Sequence, residues 1–333
     1  MNWTGKKILV TGADGFIGSH LTETLVKSGA DVTALSLYNS FGHTGWLEDM
    51  SGDVRADCRI VRGDVRDPHQ MLDLCAGQEF VFHLAALISI PYSYEAVSHY
   101  LDTNVLGTTN VLQGSLKGGV SRIVHTSTSE VYGTAQTLPI NEDHPLHAQS
   151  PYAASKIGGD KIAESYFCSF EAPVTTLRPF NTFGPRQSER AVISSLIRQA
   201  LDPNSTEIAI GDRTPRRDFM YVADTVAAFM ALAAAESVVE GNVYNAGSGG
   251  IVTIGDVLDR IVELTGSTLP VREAADRMRP ANSEVFALQA DYSRLEKATG
   301  WQPAMSLEAG LEENIDWWRA NIGKARQSLN YLY

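Results

Sequence analysis

Apolar residues in this chain fall in short runs separated by longer amphipathic stretches. "KKILVTG" is one such run, followed by Ile17, Leu21 and Leu25 at helical spacing. "DVTALS", "CRIVRGD" and "EFVFHLAA" repeat the short apolar run, so the first quarter of the chain predicts four strands. Helical patterning from about Tyr94 to Lys117 leads to a fifth strand at Ile123 and Val124. A helix from about Pro151 to Cys168 leads to a sixth in "PVTTLRP". Such alternation predicts an α/β fold, a doubly wound parallel sheet covered by helices on both faces. From about Phe180 the pattern loosens. Short helices near 190–201, 222–236, 253–265 and 307–320 sit among loops rich in Pro, Arg and Asn, which predicts a smaller interleaved C-terminal lobe.

The bulk numbers narrow the class. A chain of 333 residues buries a large core and exceeds the size at which one core usually divides. Its 27 Lys and Arg stand against 39 Asp and Glu, a formal charge of -12. An acidic surface argues against nucleic acid as a partner, and any phosphate must meet local cations. Cys58, Cys75 and Cys168 are scattered, which suits reduced thiols better than disulfides or zinc. His43, His144 and His147 lack metal-ligand spacing, so no metal is expected. "MNWTGKKILV" enters a strand without a signal-like apolar core, and "TVAAFMALAAA" is too short to span a bilayer. The expectation is a cytoplasmic protein without membrane contact.

Chemistry first appears at the end of the first strand. "VTGADGFIGSHL" sets Gly12, Gly15 and Gly18 in a G-x-x-G-x-x-G spacing, with Phe16 and Ile17 opening the helix. Glycines there allow a tight turn and let backbone N–H groups reach a pyrophosphate, the Rossmann arrangement for a dinucleotide. An acid about 20 residues on should hold the adenosine ribose. Ser36 stands there instead, with Asn39 and Ser40 as alternative donors and no arginine close in sequence to favour NADP. NAD is therefore the expected cofactor. Asp64 and Val65 after the third strand either border the adenine or, for Asp64, simply form a turn. Leu84, Ala85 and Ala86 after the fourth strand complete the expected cofactor contacts. This organisation assigns residues 1–180 to the dinucleotide-binding domain, with 215–247 returning to it. Residues 181–214 and 248–333 form the expected substrate-binding lobe.

A second cluster lies after the fifth strand. "TSTSEVYG" ends that strand in hydroxyls and a carboxylate, and the next helix begins "SPYAASK". Tyr152 and Lys156 lie one turn apart on the same face. Tyrosine ionises near pH 10, and a neighbouring ammonium is expected to lower that value so that the phenolate acts as a base.

At these residues the chain resembles the extended short-chain dehydrogenase/reductase family of nucleotide-sugar enzymes. The resemblance runs through "TGADGFIG", "GDVRD", "HLAA", "TNVLGTTNVL", "TSTSEVYG", "YAASK", "RPFNTFGPRQ", "RRDFMYVAD" and "NAGSGG". It implies that Tyr152 deprotonates a sugar 4-hydroxyl while C4 gives hydride to NAD. It also implies that Lys156 bridges the nicotinamide ribose and that Thr128 shares the bond to the 4-oxygen. A nucleotide-diphosphate sugar is the implied substrate, contacted by Asn181, Arg186, Arg217 and Arg279, in an enzyme that is often a homodimer.

Ser129 and Glu130 bear on the step after oxidation. A 4-ketone acidifies the C5 proton, so an epimerase, a 4,6-dehydratase and a decarboxylase all share the first step. Glu130 is placed to act as a base at C5, which a plain epimerase does not need. Familiar hexose 4,6-dehydratases carry Asp-Glu here, and Ser129 is a poor acid for a departing hydroxyl. Nucleotide-glucuronate decarboxylases carry Ser-Glu. "SLYNSFGHTGWLE" and "GPRQSERAVI" resemble bacterial legionaminic-acid-type N-acetylhexosamine 4,6-dehydratases, in which Ser-Glu also occurs. Dehydration of a nucleotide-linked N-acetylglucosamine is preferred, with UDP-glucuronate decarboxylation and 4-epimerisation open. A non-catalytic dinucleotide sensor is the alternative of another class. It could dispense with Tyr152, Lys156 and Thr128, which this chain retains. His83 is expected to pack beside the cofactor, and Trp317 and Trp318 to pack in the protein.

Overall fold

The computed structural model describes residues 1–278 and 280–324. Seven parallel strands form its central sheet: β1 (Lys7–Thr11), β2 (Asp31–Leu37), β3 (Cys58–Gly63), β4 (Phe80–His83), β5 (Arg122–Thr126), β6 (Val174–Pro179) and β7 (Val243–Ala246). Their spatial order is β7-β6-β5-β4-β1-β2-β3. Val, Ile, Leu and Phe fill these strands because both faces are covered, as parallel sheets require. The order reverses between β1 and β4, which opens a crevice beyond their carboxyl ends.

Helices α1 (Phe16–Lys27), α2 (Pro68–Cys75), α3 (Gly107–Gly118), α4 (Pro151–Phe170) and α6 (Val222–Ala234) flank the sheet, while α5 (Val192–Leu201), α7 (Ile254–Thr265) and α8 (Leu307–Asn321) lie to one side of it. One apolar cluster joins Leu21 and Leu25 of α1 to Phe229 and Leu232 of α6 over one face. Another joins Met71, Val111 and Ala163 from α2, α3 and α4 over the opposite face. A third cluster belongs to the C-terminal lobe, where α5, α7 and α8 meet through Ile197, Leu258, Ile315 and Trp318. The chain thus leaves the sheet after β6, returns through β7, and leaves again. Trp317 packs edge-on against Trp46, at 5.7 Å between ring centres, tying α8 to the turn after β2.

The helix expected from Tyr94 to Lys117 is broken. Short helices Ile90–Glu95 and Val97–Leu101 meet at Ala96, and a wide π-type turn, Asp102–Leu106, precedes α3. Tertiary bonds hold this irregular turn. Asn104 accepts from Leu87 N–H at 2.8 Å and donates to Leu87 C=O and Ser155 Oγ, each at 2.9 Å. It thereby fixes the loop after β4 to α4. No helix among the described residues is long and apolar enough to cross a membrane.

Candidate active site

The glycine-rich turn lies at the reversal point. Gly12 has φ +67°, and a Cβ there would come within 2.7 Å of Ala85 N. A Cβ on Gly18 would lie 2.0 Å from the Gly12 carbonyl. Only glycine lets the turn pass between α1 and the loop after β4. Gly15 caps α1 without a side-chain acceptor, so the first N–H groups of α1 retain their donor capacity for a phosphate. The cradle therefore fits a dinucleotide pyrophosphate. Phe16 turns toward the C-terminal lobe's core and Ile17 toward the sheet. Ala85 N–H donates to Thr11 Oγ1 at 3.2 Å, holding the 84–86 segment beside the turn.

Other expected cofactor contacts are engaged within the protein. Asn39 closes its own loop, donating to His43 C=O at 2.8 Å and accepting from His43 N–H, while Ser40 is exposed. Asp64 accepts from Arg66 Nε at 2.9 Å and from its N–H, so its carboxylate forms the turn. Val65 is buried, and its carbonyl accepts from Asn110 at 3.0 Å. Two findings at the end of β2 could not be read from the sequence. Ser36 Oγ donates to Asp14 Oδ2 at 3.2 Å, which brings a carboxylate to the position where an acid was sought. And an arginine does lie nearby, because Arg62 on β3 pairs in register with Ser36. That corrects the expectation drawn from sequence distance alone.

The second half of the crevice is built by β5 and α4. Ser150 caps α4 by accepting from Ala153 N–H at 3.1 Å, and Pro151 opens its first turn. This presents Tyr152 to the end of β5. Thr128 has an extended backbone and caps the turn Ser129–Tyr132, its Oγ1 accepting from Glu130 N–H at 3.2 Å. The same hydroxyl lies beside the Tyr152 side chain, near enough to favour its ionised form. Tyr152, Ser129, Glu130 and Lys156 are 7%, 2%, 9% and 3% exposed, so the group sits largely shielded from water. Tyr100 and Ile90 pack against Tyr152 from the broken helix.

Electrostatics here differ from the expectation in one respect. Burial raises the Tyr152 phenol well above its usual range; the Thr128 hydroxyl opposes this, and the Glu130 charge adds to it. Lys156 is not among the groups that oppose that rise, and its ammonium donates to the Thr126 carbonyl at 2.6 Å. Burial brings Lys156 itself down to about 8, outweighing the opposing pull of Asp160. In the protein alone the lysine is therefore a poised cation rather than the partner that ionises the tyrosine.

Asp160, one turn beyond Lys156, was not anticipated. Its Oδ2 accepts from Ser127 Oγ at 2.8 Å and from Arg178 Nη2 at 2.9 Å. His125 Nε2 lies 3.3 Å from its Oδ1, off the angle of a hydrogen bond. Burial holds the His125 imidazole below its usual value despite that carboxylate. The carboxyl is brought down to about 2; burial opposes this, but His125, Arg178 and Lys156 prevail. Asp160 is thus a fixed anion beneath the lysine. His83 stacks on His125 and is pinned between Thr11 Oγ1 at 2.8 Å and Thr108 Oγ1 at 3.0 Å. His83 is spent on packing and bonding under the crevice, whereas His125 packs there with neither ring nitrogen hydrogen-bonded among the described residues.

The expected substrate residues are more dispersed. Asn181 Oδ1 is buried without a hydrogen-bond partner among the described residues. Arg186, at φ +69°, pairs with Glu23 of α1 at 2.8 Å. Arg217 pairs with Glu284 at 2.9 Å. Arg279 lies outside the described residues. Asp218, beside Arg217, accepts from Ser248 N–H at 2.8 Å and from Gly249 and Ala290 N–H at 3.0 Å each, fixing the "NAGSGG" turn. No cluster of metal-ligating side chains occurs among the described residues.

Among known families, residues 9–314 match the model described as GDP-mannose 4,6 dehydratase. A dTDP-glucose 4,6-dehydratase of an Actinoplanes species is 32% identical, over 95% of this chain and 98% of that one. A UDP-N-acetyl-alpha-D-glucosaminuronate decarboxylase of Bacillus cytotoxicus is 33% identical, over 94% and 98%. Among solved structures, DesIV from Streptomyces venezuelae, a dTDP-glucose 4,6-dehydratase crystallised with NAD, superposes with a TM-score of 0.86. It is 30% identical, over 95% of this chain and 98% of that one.

Proposed function

The chain belongs to the GDP-mannose 4,6-dehydratase family of NAD-dependent extended short-chain dehydrogenase/reductases, and from that premise we propose that it is a 4,6-dehydratase of a nucleotide-diphosphate N-acetylglucosamine. The observation that carries this reading is Glu130. Its carboxylate is buried beside the tyrosine and near enough to act on that phenol's ionisation. A base in that place is superfluous for turning a ketone over, and it suits removal of a proton next to the ketone.

Bound NAD supplies reversible hydride storage for sugar C4. Tyr152 takes the proton of the 4-hydroxyl, with Thr128 sharing the hydrogen bond to the 4-oxygen. Lys156 carries the positive charge that favours the phenolate once the site is filled. Glu130 then takes the C5 proton made acidic by the ketone. The electron pair of that C–H bond forms the C5–C6 double bond as the C6–O bond breaks. Glu130 returns its proton to the departing hydroxide, so water leaves and the carboxylate is restored. C6 then takes back the hydride that C4 gave up, and C5 takes up a proton that balances the one Tyr152 releases, leaving a C6 methyl group beside the 4-ketone. The orphaned Asn181 carbonyl is suited to a donor on the nucleotide portion, since buried acceptors are seldom left unpaired. Arg217 and Arg186 would contribute positive charge near the diphosphate, each already oriented by a carboxylate.

Ser129 favours a second reading. It is buried beside Glu130 and is a poor acid, as suits decarboxylation of a nucleotide-glucuronate, where no hydroxyl departs. One mixture separates the two. Incubation with NAD, UDP-N-acetylglucosamine, GDP-N-acetylglucosamine and UDP-glucuronate should show loss of one water from a hexosamine. Loss of carbon dioxide from the glucuronate, with both hexosamines unchanged, would replace dehydration by decarboxylation. The proposal includes a homodimer, consistent with exposed Val97, Leu101 and Leu106 along the segment preceding α3. A single-chain mass in sedimentation equilibrium would contradict that part.

A further inference from the structure

We propose that Asp14, within the glycine-rich turn, performs the cofactor selection that an acid at the end of β2 would otherwise perform. Ser36 occupies that strand end and is fully buried. Its Oγ donates to Asp14 Oδ2 at 3.2 Å, and the next N–H, of Leu37, donates to the same oxygen at 3.1 Å. The Asp14 backbone is fixed as well. Trp46 N–H donates to its carbonyl at 3.0 Å, and Gly45, at φ +57°, packs so closely that a Cβ would lie 2.4 Å from that oxygen. The carboxylate is therefore locked between the turn that holds the pyrophosphate and the strand that flanks the adenosine. A carboxylate offers about four acceptor positions, so two donors on one oxygen leave room for a ribose hydroxyl.

A neighbouring cation makes this assignment consequential. Arg62 is the register partner of Ser36 on β3, and its guanidinium bonds the Gly42 carbonyl in the loop after β2. On its own, that arginine would welcome a 2′-phosphate. Asp14 opposes it by accepting a hydroxyl and repelling a phosphate dianion at the same corner. The selection of NAD then rests on which of the two charges the adenosine ribose meets. Asp14 acts within the dinucleotide cradle at Gly12, so its role rests on that reading and adds the cradle's specificity determinant.

Equilibrium titration of nucleotide-stripped protein with NAD and with NADP, followed by calorimetry, tests it. Wild-type protein should bind NAD at least about tenfold more tightly than NADP. Asp14→Asn should weaken NAD about tenfold, the loss typical of one charge-assisted hydrogen bond, and bring the two affinities together. Adding Arg62→Ala to that variant should remove the gain toward NADP. A folded Asp14→Asn protein with the wild-type ratio of affinities would overturn the assignment while leaving the cradle standing. Should Asp14→Asn not fold, the exchange variant Asp14→Ser/Ser36→Asp decides. It should still prefer NAD, and equal binding of both nucleotides would overturn the proposal. Binding of neither nucleotide by the wild-type protein would remove the cradle and the role of Asp14 together.

Discussion

Replacing Tyr152 by Phe should lower turnover by about 10²- to 10⁴-fold, the usual contribution of a positioned general acid–base group. Binding of the nucleotide sugar should change far less. The side chain is buried at the start of α4, where Tyr100 packs against it edge-on at 6.3 Å between ring centres, so the phenylalanine ring fills the same space. What disappears is one hydroxyl, which lies beside that of Thr128. The fold loses about 1 kcal/mol at most, the net worth of one hydrogen bond. Burial alone holds the phenol proton more firmly than water would. In the proposed reaction the tyrosine therefore becomes a base only in the loaded site, and substrate turnover, not ligand affinity, is the measurement that reports it. A Tyr152→Phe protein retaining a tenth or more of wild-type turnover would remove Tyr152 from the chemistry.

Glu130→Gln should have an effect of similar size, about 10²- to 10⁴-fold on water loss, but should stop the reaction at a different point. The amide keeps the shape of the side chain and cannot accept a proton. Oxidation at C4, which the proposed reaction assigns to Tyr152, Lys156 and Thr128, should continue. A 4-keto sugar that has lost no water should then accumulate, and deuterium from heavy water should no longer enter C5. Mass spectrometry of reactions in heavy water reads both quantities. Dehydration at the wild-type rate would mean that another group is the C5 base. Loss of oxidation along with dehydration would place Glu130 in the first step instead.

Much of the fold was legible because parallel strands buried on both faces leave continuous apolar runs, as in "KILVT" and "FVFH". The break at Ala96 and the π-type turn after it were not. Those residues carry ordinary helical patterning, and the turn is held by Asn104 reaching Leu87 and Ser155. Three-dimensional pairing hid two further features. Asp14 and Ser36 are distant in sequence and meet only because β1 and β2 are adjacent, while Arg62 becomes a neighbour only through the β2–β3 register. Burial hid the last. Helical spacing places Tyr152 and Lys156 on one face, but it says nothing of desolvation. Loss of water dominates both groups and sends them in opposite directions, the phenol up and the ammonium down to about 8. Arg186 and Arg217 stood out as cations in an acidic chain, yet their partners Glu23 and Glu284 required the folded lobe.

The path of one hydrogen tests the proposed reaction most directly. A nucleotide-linked N-acetylglucosamine carrying deuterium at C4 should yield a product lighter by one water with the deuterium in the C6 methyl group. Deuterium found at a C4 of inverted configuration, with no water lost, would contradict dehydration and make the chain an epimerase.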